Sequence, residues 1–136
     1  MQDKPSLTEL VAAVQSFIQD KAMPELSGRT RFHARVASNV LAIISREARF
    51  SDAFAAAQQN RLEHILGRTG DLETLNRQFC DALARGDLDL SHSDVRAHLI
   101  KTTMGKLAID QPTYAGYQRA RALGWPEEDG FEPDDA

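Results

Sequence analysis

An all-α fold is predicted for this chain. Apolar residues recur at three- and four-residue spacing in every long segment, and each segment is punctuated by caps, glycines or prolines. No stretch alternates with period two between hairpin turns. Short connections between the segments favour antiparallel neighbours, so the expected architecture is an up-and-down bundle of five principal helices plus a short C-terminal helix.

The first helix opens at Ser6-Leu7-Thr8-Glu9, a capping box, and carries Leu7, Leu10, Val11, Val14, Phe17 and Ile18 on one side. It is expected to run to Ala22 and stop before Pro24. Ser27 and Gly28 break the chain, and a second helix follows from Arg29 to Phe50. Ser51 is read as the cap of a third, which Gly67 ends. Asp71 opens a fourth, striped by Leu72, Leu75, Phe79 and Leu83 and ended by Gly86. The fifth starts at Ser91-His92-Ser93-Asp94 and finishes before Pro112, and a short sixth covers Thr113 to Leu123 before Gly124.

The 136 residues carry a net charge of −4. Six acids and no base follow Trp125: Glu127, Glu128, Asp129, Glu132, Asp134 and Asp135. Residues 1–126 read as one helical domain and 127–136 as an acidic, disordered tail. The near-neutral body offers no concentrated basic face for nucleic acid. No apolar run reaches the roughly 18–20 residues of a membrane span. The opening Met1-Gln2-Asp3-Lys4-Pro5 lacks the make-up of a signal peptide, and a lone Cys80 cannot form an internal disulfide. The expected location is the cytoplasm. Cys80, at the edge of the fourth helix's stripe, is read as a small buried hydrophobe.

Two helices carry unusual polarity. On the second, His33 and Glu47 fall within the arc of Phe32, Val36, Val40, Ile43 and Ile44, with Asn39 at its edge. On the fifth, Arg96, Thr103, Lys106 and Asp110 share the arc of Val95, Leu99, Ile100, Met104 and Leu107. Buried charges need partners. These residues are therefore read either as a structural network, with Glu47 meeting Arg96 or Lys106, or as the lining of a polar pocket for a small molecule. Arg29, Arg31 and Arg35 crowd the start of the second helix, where backbone N–H groups favour anions. They form a candidate anion site, unless they stand solvated or meet the acidic tail.

Metal chemistry finds no footing. None of His33, His64, His92 and His98 forms an i, i+4 pair, and there is no His-Glu-x-x-His segment. Phosphate loops and nucleophile elbows are also missing, so no cofactor is expected and a non-enzymatic protein is favoured.

Arg31-Phe32-His33-Ala34-Arg35-Val36-Ala37-Ser38-Asn39-Val40-Leu41-Ala42-Ile43 and Lys106-Leu107-Ala108-Ile109-Asp110-Gln111-Pro112-Thr113-Tyr114 resemble the two signature segments of an uncharacterised bacterial family, a domain of unknown function. Pro5–Val11 and Asp71–Asn76 are also similar to it. The family is often encoded beside aminoglycoside-phosphotransferase-like kinases and acyl-CoA dehydrogenases. The resemblance implies an accessory role in acyl-CoA catabolism, with such a kinase or dehydrogenase as protein partner; a homo-oligomer is a further reading. The alternative is a protein or enzyme that binds an anion or acyl-CoA-related small molecule in an interhelical pocket.

Overall fold

The computed structural model describes residues 4–129 and 131, and they hold helices and turns with no strand. They fall into two compact units, Met1–Ser51 and Asp52–Ala136.

In the first unit, α1 (Leu7–Ser16) begins at the expected capping box. The Ser6 hydroxyl accepts the Glu9 N–H at 3.3 Å, and a Glu9 carboxylate oxygen accepts the Ser6 N–H at 2.7 Å. A π-helical turn, Phe17–Ala22, leads into a three-residue helix, α2 (Met23–Glu25). The helical path therefore does not stop before Pro24. Proline sits in the first turn of α2, where its missing N–H would have had no helical partner in any case. The chain turns extended at Leu26, and α3 starts at Gly28, whose φ of 54° lies in the left-handed region that glycine tolerates.

One 39-residue helix, α3 (Gly28–Leu66), replaces the expected second and third helices. Ser51 caps nothing and lies in mid-helix. Serine stops a helix only where the backbone is free to turn, and Phe50-Ser51-Asp52-Ala53 contains no glycine or proline to release it.

In the second unit, the remainder of α3 is followed by α4 (Leu72–Arg85), α5 (Ser93–Asp110) and α6 (Ala115–Ala122). Asp71 caps α4 as expected, accepting the Thr74 N–H at 2.9 Å. Gly86 ends it in the left-handed region, with Asp87 N–H bonded to the Ala82 carbonyl and Gly86 N–H to that of Leu83, a Schellman closure. His92 takes the N-cap position of α5, while Ser91 stands in a turn, bonded to Asp89.

Leu62, Leu75, Phe79 and Val95 form one buried cluster, flanked by Ile65, Leu66, Leu72, Leu83, Leu88 and Leu99. Met104, Ala108 and Tyr117 form a second, flanked by Ile100, Leu107, Ala120 and Phe131. The predicted stripe of α4 is thus its packed face, but Cys80 is exposed rather than buried. No helix among the described residues is long and apolar enough to cross a membrane.

Candidate functional site

Two features stand out, one in each unit. In the first unit, α1 covers only one flank of its apolar arc. Val11 is buried and Ile18 half-buried, whereas Leu7, Leu10, Val14 and Phe17 are exposed. On α3 the arrangement is inverted relative to an ordinary amphipathic helix. Its covered side in this unit carries Ala34, Ser38, Leu41, Ala42 and Ser45, and its large apolar side chains Phe32, Val36, Val40 and Ile44 are 40–61% exposed. A row of large apolar side chains left in water is the signature of a binding surface.

The second unit builds a cavity lined by both apolar and charged side chains. Its volume is about 340 Å³, and its lining includes Asn60, Arg61, His64, Ile65, Asp94 and Asp129. Arg61 projects from α3 and is gripped by the segment that follows α6. Its two terminal nitrogens donate to the two carboxylate oxygens of Glu128, one at 2.9 Å, and contact Asp129 at 3.5 Å and the Thr102 hydroxyl at 3.4 Å. Lys101 pairs with Asp129, which, with Arg61, holds that carboxyl below the usual aspartate range. Glu128 is 4% exposed. Gly105 makes its place: a Cβ there would lie 3.2 Å from the Glu128 Cβ and 3.2 Å from the Phe54 ring.

The acidic tail expected from residue 127 thus begins as a docked strap. Glu127 accepts from Arg121 at 2.8 Å and from the Tyr117 hydroxyl at 3.3 Å, and Phe131 meets Phe54 edge-on at 5.8 Å. Burial, then the Glu127 charge, pushes the Tyr117 hydroxyl up to about 12. Residues 130 and 132–136 of that expected tail lie outside the described residues.

Beside Arg61, His98 is buried against the Phe79 ring, with centroids 4.8 Å apart, and its Nδ1 has no hydrogen-bond partner among the described residues. Burial, then the Arg61 charge, lowers its pKa to about 4. The folded pKa lies below the unfolded value of 6.5, so His98 stays neutral in the fold while the unfolded chain takes up a proton. Stability is therefore full above pH 6.5 and declines as pH falls toward 4, by up to about 3 kcal/mol. Urea melts between pH 7 and 4 should show this slope, and His98→Leu should flatten it; an equal slope in the variant would contradict the assignment.

The residues singled out from sequence lie elsewhere. His33, Asn39 and Glu47 are exposed on α3 in the first unit, and Arg29 donates to His33 at 3.3 Å. Arg31 and Arg35 are exposed too. Arg96, Thr103, Lys106 and Asp110 are exposed on α5 in the second unit, opposite the buried Val95, His98, Met104, Gly105, Ala108 and Ile109. Arg96 donates to the Ser91 carbonyl at 3.0 Å, and Thr103 to that of Leu99 at 2.8 Å, which are local bonds within and just before α5. The buried face of α5 is built partly from histidine, glycine and alanine. A wheel weighted by hydropathy therefore rotates away from it. Arg61, His98, Gly105 and Glu128 were missed. A glycine inside a helix was the one available signal, since it marks a close approach.

A protein family described as a domain of unknown function (DUF6285) matches residues 24–114, two thirds of the chain. The chain belongs to the DUF6285 family. Both signature segments fall inside the DUF6285 match, as do all the cavity residues named above except Asp129. α1 and the strap lie outside it. No curated protein and no solved structure matches the chain.

Proposed function

We propose that this DUF6285 protein is a non-enzymatic interaction protein of the cytoplasm whose first unit carries the binding face. The observation that supports the reading is the uncovered apolar row Phe32, Val36, Val40 and Ile44 on α3, with Leu7, Leu10, Val14 and Phe17 on α1. Large apolar side chains gain most of their binding free energy by leaving water, so a partner that covers them is strongly favoured. The resemblance names the foreign partners to try: a phosphotransferase-family kinase or an acyl-CoA dehydrogenase. A hydrophobic dye tests the face itself. At nanomolar chain concentration bis-ANS should brighten with the native protein and lose most of that signal with Val36→Asp/Val40→Asp. Equal dye binding by both proteins would overturn the reading.

The cavity beside Arg61 favours a second reading, a site for an anion or an acyl-CoA-related small molecule. Arg61 is already matched by Glu128 and Lys101 by Asp129, so such a ligand has to displace the strap. Millimolar phosphate or coenzyme A should then raise the melting temperature more than chloride at equal ionic strength. Equal effects of all three would remove this reading.

A further inference from the structure

Six exposed residues of α3 are placed symmetrically along its uncovered face. Arg29, Phe32, Val36, Val40, Ile44 and Glu47 are all exposed, and at helical pitch they share an arc of about 120°. Their spacings run three, four, four, four and three residues. Arg29 and Glu47, Phe32 and Ile44, and Val36 and Val40 therefore stand in pairs placed symmetrically about position 38. A cation stands at one end and an anion at the other, with four large apolar side chains and His33 between them; the position that mirrors His33 is the half-buried Ile43.

We propose that two copies of this chain associate through this face as an antiparallel, isologous dimer, with the twofold axis crossing α3 at the level of Ser38. This rests on the first unit's role as a binding face and names its occupant. In an isologous contact, residue i of one copy meets residue j of the other, and j meets i. Antiparallel pairing sets Phe32 against Ile44 twice and Val36 against Val40 twice, and closes each end with Arg29 against Glu47. Because Arg29 and Glu47 are opposite charges at mirror positions, both ends of such a pairing are complementary.

The α3 row, with about 350 Å² of open side-chain surface per copy, forms the apolar centre that hot spots need.

Sedimentation equilibrium of the full chain and two exposed-charge variants tests the pairing. The native protein should approach twice 15.1 kDa at micromolar concentration. Arg29→Glu alone and Glu47→Arg alone each place two like-charge pairs in the dimer, and should weaken it about tenfold or more. An equimolar mixture of the two variants should regain native affinity as a one-to-one heterodimer, because one end keeps its native pair and the other pairs the two introduced charges. That rescue also shows that both variants fold.

A dimer indifferent to both reversals, or weakened dimers that mixing does not rescue, would overturn the antiparallel pairing. A chain monomeric throughout overturns the dimer. The dye assay then separates the two ideas: signal lost in Val36→Asp/Val40→Asp keeps the binding face, and signal unchanged removes both.

Discussion

Replacing Arg61 with methionine should destabilise the protein by ~3–5 kcal/mol, the usual cost of leaving a buried charge without its partner. The Glu128 side chain is 3% exposed, and every ionic contact it shows among the described residues is to Arg61. Deleting the guanidinium strands that carboxylate in a notch shaped by Gly105 and Phe54. Glu128→Gln should cost less, because Arg61 keeps Asp129 and Thr102 within 3.5 Å and its side chain is 14% exposed. Arg61→Met combined with Glu128→Leu should recover much of the loss, since an apolar pair of similar volume needs no compensating charge. Chemical denaturation of the three variants measures all of this. A loss below 1 kcal/mol in Arg61→Met would show that the strap contributes little, and equal losses in both single variants would contradict the stranded-carboxylate account.

The second large effect separates the two halves of α3. Leu62→Ala should cost ~2–5 kcal/mol, for Leu62 is fully buried among Leu75, Phe79 and Val95 and its removal leaves a cavity. Val40→Ala, on the same helix but 48% exposed, should change stability by no more than about 0.5 kcal/mol at chain concentrations too low for association. Alanine is the better helix former at both positions, so propensity cannot produce the contrast. Urea melts of the two variants check it. A loss above 2 kcal/mol in Val40→Ala would show that this face is packed in the single chain, and would remove the reason to assign it a partner.

The all-α class, the capping box at Ser6, the Asp71 cap and the terminating glycines were legible because each depends on neighbours three or four residues away. Ser51 misled because a serine favours a cap without forcing one, and the surrounding residues all sustain a helix. The apolar arc of α3 was also legible, but periodicity reports which residues share a face and not whether the face is covered. The same gap explains the polar residues placed with it: His33 and Glu47 need no buried partner on a face that water reaches. The Arg61–Glu128 pair joins residues 67 positions apart, and an acidic terminal run looks the same whether it docks or not. His98 was hidden for a different reason: its neutrality comes from burial and from Arg61, neither of which appears in its local sequence.

The uncovered α3 face is tested most directly by sedimentation equilibrium of the native chain beside Val40→Asp. The native protein should sediment at twice 15.1 kDa at micromolar concentration, and the variant at 15.1 kDa with unchanged helical circular dichroism. A native chain that remains at 15.1 kDa at every concentration, and whose bis-ANS signal Val40→Asp leaves untouched, would contradict it.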